Sequence, residues 1–266
     1  MLLMPTGLDG NRDPVSTAER DRLLAHVAAA IARLRRRDVL FVGVDGAAGA
    51  GKSTLADELA GVLASEQVPV IRSSTDSFHN PRAVRWRAGR DSPEGYYLDS
   101  HDLRTLQDVL LDPLANGLGE FRRAAFDEPT DSPVQSPLER ASPGSVLLFD
   151  GLFLHRPELR HYWNYSIFVD ADQRIRARRL AIALDGCDAS SAAAVAQLVE
   201  RAIDGKTQAG NRSAPRFDEW WGLARRYVEG WRLYTNECNP AATASTVIDN
   251  NDLTSPRILT EWSASV

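Results

Sequence analysis

Gly46-Ala47-Ala48-Gly49-Ala50-Gly51-Lys52-Ser53 carries the spacing G-x-x-x-x-G-K-[S/T]. Glycines let the backbone curl so that several N–H groups point at phosphate oxygens. The helix that follows adds the positive end of its dipole. Lys52 is then placed to reach the β- and γ-phosphates, and the Ser53 hydroxyl to bind Mg²⁺; Thr54 closes the segment. At this composition the pattern arises by accident in about one such chain in a thousand. The chain has only two lysines, Lys52 and Lys206, and one falls where the pattern needs it. The loop predicts binding of nucleotide phosphates and leaves the fate of the γ-phosphate open.

The flanks agree. Val39-Leu40-Phe41-Val42-Gly43-Val44 reads as a strand buried on both faces. From Lys52, the apolar spacing Leu55, Leu59, Val62, Leu63 predicts a helix to about Ser65. Upstream, Leu23, Leu24, Val27, Ile31 and Leu34 predict a helix over about 16–36, with Ser16 and Glu19 at capping-box spacing. Residues 1–15 read as a poorly ordered tail. Further strands are predicted at Val68–Ile71, Val146–Phe149, Ser166–Val169 and Thr246–Ile248, three of them followed by an acid: Asp150, Asp170 and Asp249. Strands alternating with helices imply an α/β fold with a mostly parallel sheet, whose ligands bind beyond the carboxyl ends of the strands. Residues 16–266 read as a single domain. The polar, proline-rich stretch 78–145 is a substrate-side insertion with one helical pattern. The arginine- and tryptophan-rich stretch 172–232 is a helical lid plus a packing helix, with Trp220, Trp221 and Trp231 as core or interface anchors.

With 266 residues, 43% of them hydrophobic and 25% charged, the chain can bury a core without staples. Neither a membrane span nor a secretory leader is expected, because no long apolar run is present and the start lacks a basic segment. The net charge of −5, without a basic patch interleaved with aromatics, argues against nucleic acid as a partner. Cys187 and Cys238 lack nearby thiols, so neither a metal site nor a disulfide framework is implied, and a cytoplasmic location fits.

Ser73-Ser74-Thr75-Asp76-Ser77-Phe78-His79 follows the second strand. An acid there can orient an acceptor hydroxyl and take its proton, or cap a turn. Taken in order, the loop Gly46–Thr54, Asp76-Ser77-Phe78-His79-Asn80-Pro81-Arg82, Arg90-Asp91-Ser92-Pro93-Glu94-Gly95-Tyr96-Tyr97, Tyr227-Val228-Glu229-Gly230-Trp231-Arg232-Leu233-Tyr234 and Asp249-Asn250 resemble the uridine kinase-like family. These are P-loop small-molecule kinases, a group that includes phosphoribulokinase and bacterial pantothenate kinase. The resemblance covers roughly residues 20–258. It implies a P-loop NTPase three-layer fold, ATP and Mg²⁺ as cofactors, and phosphoryl transfer to a hydroxyl of a small molecule. It leaves a homo-oligomer open.

Carried over on these motifs, Asp76 matches the catalytic base, Lys52 the phosphate contact, and Ser53 with Asp150 the metal positions, where the family usually has glutamate before glycine. Phe126-Asp127 resembles the tyrosine-aspartate pair lining the nucleoside pocket. The histidine and arginine that follow in uridine kinases are replaced by Asp131 and Pro133, which weakens uridine as the acceptor. Arg174, Arg176, Arg178 and Arg179 fall where the family's lid arginines lie, with Arg179 as the expected closing charge and Arg178, Arg201, Lys206 and Arg212 as further options. The implied acceptor side comprises Phe78, His79, Arg90, Tyr96, Tyr97, Phe126 and Asp127. The two tyrosines read equally as core. Arg82, Arg85, Arg87 and Arg90 read as a grip for an acceptor phosphate or carboxylate, or as a surface patch. Two rivals remain: a pantothenate- or sugar-type kinase, and a nucleotide-binding regulator or ATPase without an acceptor.

Overall fold

The protein is described here as a computed structural model covering residues 16–35, 37–117, 119–185 and 217–261. In chain order, its large sheet is built from β1 (Leu40–Gly46), β2 (Val70–Ser74), β7 (Val146–Gly151), β8 (Tyr165–Asp170), β9 (Thr246–Asp249) and β10 (Arg257–Glu261). Between β2 and β7 lie four two-residue strands, β3 (Glu120–Phe121), β4 (Phe126–Asp127), β5 (Ser132–Pro133) and β6 (Glu139–Arg140), pairing β3 with β6 and β4 with β5. The sheet order is β10-β9-β8-β1-β7-β2, parallel except for β10. This places the carboxyl ends of β1, β2, β7, β8 and β9 along one edge, with β1 at the centre.

Alternation along the strands divides the core. Val42, Val44, Leu148, Ile167 and Val169 face helices α1 (Ala18–Leu34) and α2 (Lys52–Ser65), which contribute Val27, Ile31, Leu55, Leu59 and Leu63. Phe41, Ile71, Leu147 and Phe149 pack on the opposite side against Leu106, Leu110, Leu111, Leu114 and Phe121. Three layers result, as the sequence implies.

Several boundaries differ. The first helix is capped by Thr17, whose hydroxyl accepts from the Arg20 amide at 3.2 Å. Ser16 instead donates to Asp21 at 3.2 Å, so the capping-box reading of Ser16 is corrected. The helix ends at Leu34, where the Arg35 side chain turns to the Gly144 carbonyl. The insertion holds more than one helix: α3 (Arg82–Arg85), α4 (Pro93–Asp99), and α5, which runs from Leu103–Leu106 through a π-turn at Gln107–Leu111 to Asp112–Ala115. The edge strand β10 has no counterpart among the expected strands.

Of the lid region, α6 (Gln173–Asp185) and α7 (Phe217–Cys238) are described; Arg201, Lys206, Arg212 and Cys187 lie outside the described residues, as does the tail 1–15. A short α8 (Pro240–Thr243) leads into β9. Helix α7 crosses α4 at Gly230, where a Cβ would stand 2.7 Å from the Tyr96 ring and 2.8 Å from the Pro93 carbonyl. Among the described residues, no helix is long and apolar enough to cross a membrane.

Candidate functional site

The phosphate loop leaves β1 and enters α2 with Gly49 at φ 77° and Gly51 at φ 92°, a left-handed backbone that glycine adopts without strain. Space is also limiting. A Cβ on Gly51 would lie 2.6 Å from the Asn250 amide nitrogen, which donates to the Ala50 carbonyl at 2.7 Å. Gly51→Ala is therefore expected to lose about 1–3 kcal/mol of stability, read as a lower urea midpoint. A wild-type midpoint would show that the loop relaxes at no cost.

Lys52 folds over this loop, its Nζ donating to the Ala47 carbonyl at 3.2 Å. Ser53 donates its hydroxyl to Asp150 Oδ2 at 2.6 Å. The other carboxylate oxygen of Asp150, itself 2% exposed, accepts from Arg72 at 2.9 Å. Arg72 also donates to the Leu148 carbonyl and to Asp57, and so ties β2, β7 and α2 together. The pair of hard oxygens on Ser53 and Asp150 fits a hard divalent cation such as Mg²⁺. With both oxygens of Asp150 already hydrogen-bonded, its support of such an ion through water fits best.

Asp76 sits on a 3₁₀ turn, Thr75–Phe78, at the end of β2. Its side chain is exposed. Partial desolvation by the surrounding protein raises its carboxyl above the ordinary value. His79 and Lys52 pull it down, while Asp150 and Glu128 push it up; water reaching the carboxylate tempers the rise. The turn is held by β4, through the Ala125 amide to the Ser77 carbonyl at 3.0 Å. On its far side His79 and His101 form an antiparallel bridge. His101 is 4% exposed, and burial together with nearby cations holds its imidazole neutral, well below its usual range. Glu128, at the end of β4, accepts from Arg85 at 2.8 Å through one oxygen and has no partner on the other.

The remaining expected residues separate into groups. His79 stands beside Asp76, its Nδ1 donating to the Asp76 carbonyl at 3.0 Å. Phe78 is 1% exposed and packs in the core. Tyr96 and Tyr97 join Phe153 and Tyr234 in a buried aromatic cluster, which favours the core reading of both. Phe126 is also buried, and Asp127 accepts from the Thr130 amide at 3.1 Å. Arg82 and Arg90 each place their guanidinium within 5.6 Å of the Trp86 ring centroid. Arg85 pairs with Glu128 and Asp131, and Arg87 pairs with Asp99 through two bonds of 2.9 and 2.5 Å.

Arg179 lies beside the phosphate loop. Its guanidinium donates to the carbonyls of Asn250 (2.7 Å) and Asn251 (3.0 Å) and reaches those of Gly49 and Ala50 at 3.4 Å. In this arrangement it braces the outside of the loop. Arg176, mostly buried, donates to the Ala171 carbonyl at 2.9 Å.

Four residues here have no place in the sequence reading: Arg72, Glu128, His101 and Asp45. Asp45 precedes the loop and is fully buried. It accepts from His155 Nδ1 at 2.8 Å, from the Gly46 amide at 2.8 Å and from the Tyr234 hydroxyl. His155 Nε2 meets Ser166 at 3.1 Å. Acids ending β1 and a histidine in Leu154-His155-Arg156 are visible in the sequence, but nothing local pairs them.

The family model for phosphoribulokinase / uridine kinase matches residues 41–183, which include the phosphate loop, Asp76, Asp150 and α6 up to Ala183. The chain belongs to that family. Curated relatives within it include a uridine kinase from Leuconostoc citreum, 27% identical over 150 residues, and uridine kinase-like protein 3 from Arabidopsis thaliana, 28% identical over 148. These matches cover 53% and 52% of this chain, and 66% and 29% of the relatives, under two thirds of their length in each case. A solved structure described as a possible uridine kinase from Bacillus stearothermophilus superposes with a TM-score of 0.61 at 19% identity, over 86% of this chain and 97% of that one. At that identity the likeness speaks for the family's P-loop α/β fold alone.

Proposed function

We propose that this family member is an ATP- and Mg²⁺-dependent kinase that transfers the γ-phosphoryl group to a hydroxyl of a small metabolite, with nucleosides and nucleoside-like compounds as the first acceptor class. The observation that carries the reading is the meeting of Asp76 with Lys52 and Asp150 at one strand edge, close enough for each charge to act on the Asp76 carboxyl.

The chain's own groups divide the work. Loop amides and Lys52 bind and neutralise the phosphates. Ser53 and Asp150 would hold a Mg²⁺ ion, which would supply charge neutralisation at the phosphates. Asp76, accessible to solvent, orients the acceptor hydroxyl and takes its proton, and its raised pKa makes it a better proton acceptor than an ordinary aspartate. Lys52→Ala is expected to weaken ATP binding about 10–100-fold, the loss of one hydrogen bond to a charged group, whatever the acceptor. Unchanged ATP affinity, measured by calorimetry, removes Lys52 from the phosphate site.

A carboxylate- or phosphate-bearing acceptor is less well supported. Of the arginines expected to grip such a group, Arg85 and Arg87 already have carboxylate partners. The deciding experiment is ADP release from ATP and Mg²⁺ against nucleosides, pantothenate, glycerate and pentose phosphates, with a no-acceptor control. Release that depends on a nucleoside-like acceptor supports the proposal. Release that ignores every acceptor supports an ATPase or regulator instead.

A further inference from the structure

Beside the phosphate loop, more metal-ligating groups converge than phosphoryl transfer needs. Asp76 offers a carboxylate oxygen and His79 and His101 a ring nitrogen each, and the three atoms lie within 4.8 Å of one another. The backbone fixes this meeting. The turn bearing Asp76 runs directly into His79, and the His79–His101 bridge is flanked by the Asn80 amide to the Ser100 carbonyl at 2.9 Å and the Asp102 amide to the Phe78 carbonyl at 2.8 Å. The two imidazole rings lie 4.8 Å apart, centroid to centroid.

The hydrogen bonding of both histidines suits coordination. A carbonyl oxygen only accepts, so His79 Nδ1 carries the proton that it gives to Asp76 O, which makes Nε2 the ring nitrogen left to ligate an ion. An outer bond of this kind, from the second ring nitrogen to a backbone carbonyl, is what metal-ligating histidines usually make. His101 is buried against His79 and Phe153, and its Nε2 has no hydrogen-bond partner. Leaving such an atom unsatisfied costs about 1–3 kcal/mol, which a ligand to Nε2 recovers.

We propose that Asp76, His79 and His101 form a site for one divalent transition ion of the Zn²⁺ type, distinct from the phosphate-side pair Ser53 and Asp150. Two imidazoles and one carboxylate with a position left open match the donor set of such ions. Mg²⁺ prefers oxygen ligands and is poorly served. Bonds of about 2.0–2.2 Å require the three atoms to draw together. Asp76 is exposed and His79 partly so, while His101 is buried. The ion takes the carboxylate that the acceptor hydroxyl needs, so an occupied site is a brake on transfer. That consequence rests on the kinase reading above, whereas binding itself does not.

The test uses Co²⁺ as the probe, titrated into the full chain in excess Mg²⁺ and followed by visible absorption. The expected result is one Co²⁺ per chain, with d–d bands that Zn²⁺ abolishes. His101→Asn and His79→Gln are each expected to weaken binding more than about tenfold, the loss that even an outer partner of a ligand commonly causes, with far-UV circular dichroism unchanged. His79, on the surface turn, guards against a fold defect in the buried His101 variant. No Co²⁺ band in the wild type, or wild-type affinity in the folded His79 variant, overturns the proposal. The readout is metal absorption, so it stands or falls separately from any kinase assay.

Discussion

Asp76→Asn is expected to lower acceptor-dependent turnover by about 10²–10⁴-fold while ATP affinity stays near that of the wild type. Asparagine keeps the shape of the side chain and can still hold a hydroxyl, but it cannot accept the proton. The carboxylate is open to solvent and no described side chain depends on it for an ion pair, so the fold loses little. Lys52 and the loop amides remain in place to bind nucleotide. ADP release at saturating ATP measures the first effect and calorimetry the second. Turnover equal to the wild type would falsify the role of Asp76 as base, and a parallel loss of ATP binding would point to a disturbed loop.

A second large effect is expected far from solvent. His155→Ala strips the Asp45 carboxylate of its imidazole partner while Asp45 stays fully buried. Removing a hydrogen-bond donor from a buried acceptor typically costs about 1–3 kcal/mol, and more where the acceptor is a charged group. The Tyr234 hydroxyl and the Gly46 amide still donate to Asp45, which places the loss toward the lower end. His155→Asn retains a donor and is expected to recover part of it. Urea midpoints of the three proteins decide: equal midpoints mean that Asp45 does not need the imidazole.

The fold was legible where the chain encodes it locally. The apolar run into Gly46, the loop itself and the helix to Ser65 depend on neighbours in sequence, and each lies where expected, with α2 ending at Ser65. Three strand-end acids also fell on the correct edge. Legibility fails where distant contacts decide. Thr17 and Ser16 are chemically equivalent caps, and only the approach of the Thr254 carbonyl to the Thr17 hydroxyl distinguishes them. β10 is short, mostly exposed and paired in the sheet with β9 alone among the described residues, so its composition carries little signal. Within the site, Arg179 shows the limit most clearly: its charge was visible, but its direction was set by Asn250 and Asn251, some seventy residues later. His101 and Glu128 became notable only through what fails to pair with them.

The strand order also bears on how the chain is made. β1 precedes both of its parallel neighbours by more than a hundred residues, since Leu40 pairs with Val146 and Val42 with Tyr165. At about 5–20 residues per second of synthesis, this fully buried strand leaves the ribosome about 5–20 s before the first of them exists. Such high contact order slows folding and lengthens the exposure of its apolar face. Helices α1 and α2, which bracket β1 in the chain and cover one of its faces, provide early shelter.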